Sequence, residues 1–595
     1  MCGIVGYYKF KNCEEENNML LNKMLKRIIH RGPDAQGIYF DKKITMGMRR
    51  LSIIDVSDNG NQPFYSEDNN IIVIGNGEIY NYIELKKILL ENGHKFSSNS
   101  DIEVIVHLYE EYGEKLFTYL NGMFAIAIWD KSKNKLLLGR DRTGEKPLFY
   151  YKDKDKLLFS SEIKSILEYD KYKINVNLEA LNLLLTFNYV PGELTLFKDI
   201  YSLPAASYLL LTDKKLEIKK YWNFPVKEYS TKSEIGICAD LYDLLKDSVK
   251  IRLRSDVPIG AFLSGGVDSS VILSLMAKLV NYKIDTFSIG FNNEKYNELP
   301  FAQNVANIFS TNHHTNIINE QSFFKLLPRS IYLNDNPHGD VSFLPTYKVA
   351  ELASRYVKVV MTGDGSDELF GGYDKYTAYL EKYGNNFDVV TYINDISVFT
   401  PQLKQSLFNN FSKFDTDVYF PIKSLLERAN KSDTLTKLLL IDQEFLLQGN
   451  NLVKPDRMGM GNSIEARMPF LDYRVIDYAA GIPARLKINN KETKYILKKT
   501  FQNILPSEIL YTPKRMFTVP IGEWFKKELK CNLINILQSK KSIDRGIINR
   551  KVLDSMIQAH VQGKNNYTRQ LRLLLIIELW FRYFVDGEKL ENILN

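Results

Sequence analysis

Cysteine is scarce in this chain. Four in 595 residues (Cys2, Cys13, Cys238 and Cys531) cannot build a disulfide framework, and none stands at a CxxC-type spacing that would hold a metal. Long apolar runs are missing as well. Residues 573–577 are flanked by Arg572 and Glu578, and nothing nears the roughly 18 uncharged residues that a membrane-spanning helix needs. Neither sign of charge dominates: 78 lysines and arginines stand against 71 aspartates and glutamates, a balance of +7. The basic residues fall in scattered pairs such as Lys42-Lys43 and Lys214-Lys215, which argues against nucleic acid or an anionic membrane as partner. The first ten residues lack the basic start, long apolar stretch and cleavage site of a secretory signal, so a reducing cytoplasm is expected.

What is present is an ordinary apolar fraction, 45%, over a length that predicts several domains or two large ones. Residues 1 to about 210 read as α+β. Strand-like runs lie at 4–10, 71–74, 124–129 and 135–139, with amphipathic helices near 18–29 and 101–112. A polar, aromatic connector follows to about residue 235. Strands (258–263, 285–289, 357–361) then alternate with helices (236–252, 269–279, 300–309), which predicts a parallel sheet with crossover helices. Beyond about residue 375 helices dominate, ending in an apolar one over 569–584.

Directly after the first methionine stands Cys2. Once that methionine is removed, one residue carries both a thiol and a free α-amine, and an amine with a pKa of roughly 8 suits it to take the thiol proton near neutrality. Cys2-Gly3-Ile4-Val5-Gly6 is followed by His30-Arg31-Gly32-Pro33-Asp34, Arg49-Arg50-Leu51-Ser52-Ile53-Ile54-Asp55, Asn76-Gly77-Glu78-Ile79-Tyr80-Asn81 and Ser100-Asp101-Ile102-Glu103. Each piece alone is ordinary. An arginine pair is usually solvated surface, Asn-Gly-Glu a turn, and Asp101 equally the N-cap of the helix after it. Together and in this order they resemble the class II glutamine amidotransferases, whose glutaminase domain has the N-terminal-nucleophile fold. The resemblance implies that Cys2 attacks the side-chain amide of glutamine, giving a thioester and ammonia, with Asn76 and Gly77 as donors to the oxyanion. It also implies a glutamine pocket built from Arg50, Leu51, Ser52, Ile53, Ile54, Asn76, Gly77, Glu78 and Asp101. There Arg50 grips the α-carboxylate bidentately, while Asp101 and Glu78 accept from the α-ammonium. Glu103 and His107, four apart on the predicted helix, need be no more than a surface pair and receive no role.

A second constellation, Leu263-Ser264-Gly265-Gly266-Val267-Asp268-Ser269-Ser270, lies between a predicted strand and helix. Its glycines allow close backbone approach, and its N–H groups form an anion site. No Gly-Lys-Ser/Thr closes it, so it is not a Walker loop. SGGxDS instead resembles the pyrophosphate-binding loop of ATP pyrophosphatases. Thr362-Gly363-Asp364-Gly365-Ser366-Asp367-Glu368, Asp456-Arg457-Met458, the run from Glu465 to Asp472, and Lys494-Tyr495-Ile496-Leu497 complete a resemblance to glutamine-hydrolysing asparagine synthetases over nearly the whole chain.

That resemblance implies an αββα glutaminase domain over 2–215, a connector over 216–235, and a parallel-sheet PP-loop synthetase domain with a helical C-terminal part over 236–595. The expected activity is that of a carbon–nitrogen ligase using glutamine, aspartate and ATP; relatives with these motifs serve other carboxylates, such as a sugar acid or peptide. Leu263, Ser264, Gly265, Gly266, Asp268, Ser269, Ile289, Thr362 and Gly363 are implied to bind ATP, Asp268 and Asp367 to hold Mg²⁺, and Lys494 to stand near the α-phosphate. Asp364 takes the place of a glutamate common in relatives, with an expected part in forming the intermediate or deprotonating ammonia. Ala206 and Met516 stand where glycine is usual, and His338 or Asp340 is placed to face the acceptor. Small molecules are the expected partners, and a homodimer is allowed for.

Overall fold

The computed structural model describes residues 2–10, 18–409, 417–511 and 519–594; Cys13 and Met516 lie outside them. The first part is a sandwich of two six-stranded antiparallel sheets. One has the order β10-β8-β9-β1-β3-β2, built from β1 (Gly3–Lys9), β2 (Ala35–Phe40), β3 (Ile44–Arg50), β8 (Phe149–Lys152), β9 (Lys156–Ser160) and β10 (Ile200–Ser202). The other runs β12-β11-β7-β6-β5-β4, from β4 (Phe64–Tyr65), β5 (Ile71–Ile79), β6 (Gly122–Asp130), β7 (Lys135–Arg140), β11 (Ser207–Leu211) and β12 (Leu216–Lys220). The second sheet thus continues through residue 220, past the start expected for a connector.

Side-chain alternation assigns the layers. Along β6, Ala125, Ala127 and Trp129 fill the space between the sheets, while Phe124, Ile126 and Ile128 face the helices α2 (Tyr82–Glu91) and α3 (Val104–Tyr112). Both faces of β6 are covered, so it reads as a continuous apolar run. On the far side, Val5 and Tyr7 of β1 pack with Leu21, Met24 and Leu25 of α1 (Met19–Arg27). The layers are therefore helix, sheet, sheet, helix, the αββα arrangement of the N-terminal-nucleophile fold. The same parity places Cys2 with Ile4 and Tyr8, and Asn76 with Ile72 and Ile74, on the inner faces.

The second part holds a five-stranded parallel sheet, β15-β14-β13-β16-β17. Its strands are β13 (Ile259–Phe262), β14 (Asp285–Phe291), β15 (Asn312–Ile318), β16 (Val359–Met361) and β17 (Glu465–Arg467). Helices Glu234–Arg252, Val267–Leu279 and Leu299–Ile308 fall close to their expected bounds. Strands β15 and β17 were not expected, because neither is apolar: one is half-exposed and polar, the other a three-residue strand of two buried charges around an alanine. The closing helix, Thr568–Trp580, is buried along most of its length and anchored by Trp580 Nε1 donating to the Asp335 carbonyl at 2.7 Å. Among the described residues, no helix is long and apolar enough to cross a membrane.

Ala206 sits at φ +56°, buried, with its N–H donated to the Asp141 carbonyl and its own carbonyl accepting from the Tyr221 N–H, both at 2.7 Å. The two hydrogen bonds fix a left-handed conformation that glycine adopts freely and alanine does not. Ala206→Gly is therefore expected to stabilise the protein by about 0.5–1 kcal/mol, after the larger unfolded-state entropy of glycine is subtracted. A small rise in melting temperature checks it.

Candidate functional site

Because Cys2 and Asn76 share the space between the sheets, they meet: the Cys2 N–H donates to Asn76 Oδ1 at 2.9 Å. This leaves the Asn76 Nδ2 amine buried and without a hydrogen-bond partner, a donor aimed at no protein acceptor. Gly77, next along β5, has φ +144°, and a Cβ there would lie 1.9 Å from the Met123 carbonyl oxygen, so only glycine fits. Burial pushes the Cys2 thiol pKa up, against the opposing pull of the amino terminus, the Leu51 N–H and the Arg50 guanidinium. An amine beside the thiol is the kind of base such a buried nucleophile needs.

Arg50 ends β3 buried, and its two terminal nitrogens are already engaged by the loop that follows. They donate to the Asn61 side-chain oxygen at 2.8 Å, to the Ser57 and Ile54 carbonyls at 3.2 Å, and to the Asp55 carbonyl. A bidentate grip on a carboxylate would have to trade some of these bonds. Ser52 and Ile53 are held in turn, the Ser52 N–H by Asp34 and the Ile53 carbonyl by the Asp256 N–H, both at 2.9 Å; Leu51 and Ile54 line the same turn, buried. Asp101 is no helix cap. Its Oδ2 accepts from the Ile79 N–H at 2.7 Å while α3 begins only at Val104, and burial pushes its carboxyl up to about 6. Glu78 is buried 3.4 Å from Arg467, with its pKa raised by burial and by Glu465 and Asp101 nearby.

At the second constellation, β13 leads into Ser264–Gly266 and the helix Val267–Leu279. Gly265 (φ +79°) lies where a Cβ would strike the backbone of Phe301 and Ala302 at 2.5–2.6 Å, and a Cβ on Gly363 would lie 2.7 Å from the Asp268 Cβ, so the two glycine loops touch. Ser264 and Ser269 hydroxyls are 3.2 Å apart; Leu263 and Ile289 are buried, and Thr362 is tied to β17 by its N–H on the Arg467 carbonyl at 2.9 Å. Lys494 joins the loops: its ammonium lies 2.6 Å from Asp268 and 2.7 Å from Asp367. It does so from a left-handed backbone (φ +54°), a strained geometry typical of functional positions. Gly372 makes room, since a Cβ there would fall 1.9 Å from Asp367 Oδ1 and 2.0 Å from Lys494 Cε.

Beside these loops stands a group of alternating charge. Lys454 lies 3.0 Å from the Ser342 hydroxyl and 3.9 Å from Asp340, and its charge also acts on Asp364, whose carboxyl burial pushes up. Asp340 is held low despite its burial, chiefly by Lys454 and by the Ser342 N–H and hydroxyl. His338 does not point there. It is buried against Tyr189 and Phe343, bonded to the Gly449 carbonyl at 2.9 Å, and burial lowers it to about 4. Glu368, which sequence reasoning left without a role, accepts from Tyr373 and Asn451, both at 2.6 Å, and burial beside Asp367 pushes it up to about 7.

Residues 240–582 match the family model for asparagine synthase, and residues 1–222 match that for a glutamine amidotransferase domain. The chain belongs to the asparagine synthase family. It is 33% identical to the glutamine-hydrolyzing asparagine synthetase 1 of Bacillus subtilis over 98% of this chain and 96% of that protein. It is 41% identical to a putative glutamine-hydrolyzing asparagine synthetase 2 of Methanocaldococcus jannaschii over 63% of this chain and 76% of that one. A protein named amidase chyE, of Penicillium rubens, matches at 27% over 88% and 89%. This asparagine synthase family member is accordingly a glutamine-dependent carbon–nitrogen ligase.

Its two matched segments meet along a buried ionic seam. Arg31, fully buried, donates from Nε to the Cys2 carbonyl at 3.1 Å, from Nη1 to Glu162 at 2.9 Å, and from both terminal nitrogens to the two oxygens of Asp456 at 2.9 Å. Glu162 also pairs with Arg457 at 3.2 Å, and Lys164 with Asp335 at 2.9 Å. A cavity of about 650 Å³ opens at this seam, with Arg140, Glu145 and Ala205 on one side and His338, Asp456 and Arg457 on the other. The sequence shows both motifs of the seam in this synthase, His-Arg-Gly-Pro-Asp and Asp-Arg-Met, but no periodicity reveals that residues 425 apart are partners. Arg31→Met would leave Asp456 and Glu162 short of a buried countercharge, at a cost of about 3–5 kcal/mol. The expected outcome is a lower melting temperature together with glutamine hydrolysis that no longer tracks product formation.

Proposed function

We propose that this chain makes asparagine from aspartate, with glutamine as nitrogen donor and ATP as the activating substrate. The observation that carries the reading is the convergence of Asp268, Asp367 and Lys494 between two glycine loops, beside a group of charges that alternate from Asp340 through Lys454 to Asp364. Such alternation suits the ammonium and carboxylate ends of an α-amino acid. In this reading the glutaminase unit, expected over 2–215, runs on through β12 to residue 220, the rest of the expected connector follows to 235, and 236–595 form the synthetase unit.

In the first unit Cys2 adds to the glutamine side-chain amide, its proton taken by its own amine after loss of Met1. Asn76 Nδ2 and the Gly77 N–H stabilise the oxyanion, ammonia leaves, and water releases glutamate from the thioester. Arg50 and the Leu51–Ile54 turn bind the α-carboxylate end, and Asp101 with Glu78 the α-ammonium. In the second unit the aspartate side-chain carboxylate attacks the α-phosphorus of ATP, expelling pyrophosphate, and ammonia then attacks the acyl carbon, expelling AMP. Leu263, Ile289, Thr362 and Gly363 border the nucleotide, and Ser264, Gly265, Gly266 and Ser269 face its phosphates through N–H and hydroxyl groups. Lys494 follows the charge that builds on the phosphoryl oxygens. Asp364, with its raised pKa, is placed to accept a proton from the attacking ammonia. Asp268 and Asp367, whose carboxylates already converge on one cationic group, are a hard-oxygen donor set that fits Mg²⁺; when bound, that ion neutralises the pyrophosphate.

Purified protein with glutamine, ATP and Mg²⁺ is expected to release AMP only when aspartate is added, and Cys2→Ala to lose glutamine-driven synthesis at least about 10³-fold while added ammonium still supports it. AMP release that needs another carboxylic acid and ignores aspartate would sink the acceptor assignment. Below about pH 6 the Asp101 carboxyl gains a proton and loses its attraction for the α-ammonium. The KM for glutamine is therefore expected to rise as pH falls through 6, and Asp101→Asn to raise it roughly tenfold or more above pH 6 while flattening this pH dependence, as the loss of one charge-assisted hydrogen bond dictates.

A further inference from the structure

Apart from both candidate sites, three segments of the glutaminase part bring imidazoles and carboxylates together beside α3. Glu67 comes from the turn between β4 and β5, His94 from the loop after α2, and His107 and Glu110 from α3 itself; one ligand atom of each lies within 4.8 Å of all the others. His107 Nδ1 is 3.0 Å from Glu110 Oε2 and 3.7 Å from Glu67 Oε2. His94 Nδ1 is 3.6 Å from the same Glu110 oxygen and 3.7 Å from Glu67 Oε1. Four ligands at about 2.0–2.1 Å from a tetrahedral zinc stand about 3.3 Å apart, so these contacts already bracket the edge length of such a site.

Two further features separate this group from a chance meeting of surface charges. His94 has a second carboxylate, Glu111 Oε1, 3.0 Å from its Nε2, the outer partner that fixes the tautomer of a metal-bound histidine. His107 is only 1% exposed, and its Nε2 has no hydrogen-bond partner. With the proton on Nδ1, a bare Nε2 is buried with no donor. With the proton on Nε2, the bare Nδ1 lone pair faces carboxylate oxygens. A cation between Nδ1 and those oxygens removes the second conflict.

We propose that Glu67, His94, His107 and Glu110 form a structural zinc site that pins the α2–α3 layer to the β4–β5 hairpin. Two neutral imidazoles and two carboxylates balance a dication, nitrogen donors favour zinc over magnesium or calcium, and four protein ligands make a closed, non-catalytic site. The segment between the two histidines carries Asp101, and Glu103 braces its middle, accepting from the N–H and hydroxyl of Ser97 and Ser98 at 2.6–2.8 Å. Zinc would thus clamp both ends of a segment whose middle is already braced.

The full-length protein, stripped with a chelator and returned to magnesium-containing buffer, is to be titrated with Zn²⁺ and with Co²⁺ as a coloured probe. About one equivalent should bind, with the visible spectrum of tetrahedral cobalt and a higher melting temperature. His94→Ala, at a partly buried position, and Glu67→Gln, at an exposed one, should abolish that binding while glutamine hydrolysis persists. Glu111→Gln should weaken it roughly 10–100-fold. No uptake, or an equal stoichiometry and melting shift in wild type and variants, overturns the proposal.

Discussion

Arg31 has no access to water, yet its guanidinium holds the Cys2 carbonyl, Glu162 and Asp456 at once. Burying a charge is costly, and a buried pair repays the cost only when its geometry is good and its other hydrogen bonds are met. Such a seam adds little to stability compared with a packed apolar contact. What it adds is intolerance of error: a shift of an ångström or two between the halves would strand a charge in a medium that cannot solvate it. The residue that orders the start of β1 is therefore also the one that fixes where the second half sits, and neither can drift without the other.

A second arginine extends the argument. Arg467 donates to the Arg252 and Arg254 carbonyls at 2.6 Å and pairs with Glu465 at 2.6 Å, while its far nitrogen approaches Glu78 at 3.4 Å. Its own carbonyl holds the N–H of Thr362, at the root of the second glycine loop. One residue thus touches Glu78 on β5 by its side chain and the second glycine loop by its backbone. Asp256, from the segment leading into β13, meets the turn after β3 twice, its N–H on the Ile53 carbonyl and its carboxylate on the Asp55 N–H at 2.7 Å. Both contacts tie the two halves, the one through Arg467 fully buried and the one through Asp256 at the exposed rim.

Much of this was legible before any coordinate. Apolar runs such as residues 124–129 announced strands because both their faces are covered, and the strand–loop–helix form of SGGVDS placed the second constellation correctly. The individual partners were not legible. That the Asn76 carbonyl oxygen would take the Cys2 N–H and leave its amine free follows from the parity of two strands in different sheets. Asp101 reads locally as a cap and serves instead a strand end 22 residues earlier. His338, expected with Asp340 as a residue facing the acceptor, is instead stacked in the interior, because Tyr189 arrives from far upstream to cover it. Each failure has the same cause: local pattern reports which face a residue presents, and long-range pairing decides what meets that face.

The parallel sheet ends in two unlike strands. On one side β17 is three residues long and wholly buried at the seam, so the first half of the molecule is its cover. On the other side β15, which among the described residues pairs with β14 alone, is half-exposed and carries Asn312, His313, His314 and Asn316 where an inner strand would carry valine or isoleucine. An open strand edge offers unpaired backbone groups to any passing chain, and polar side chains make that docking unrewarding. The polarity that disguised β15 in the sequence is thus what terminates the sheet: its least strand-like member is its border.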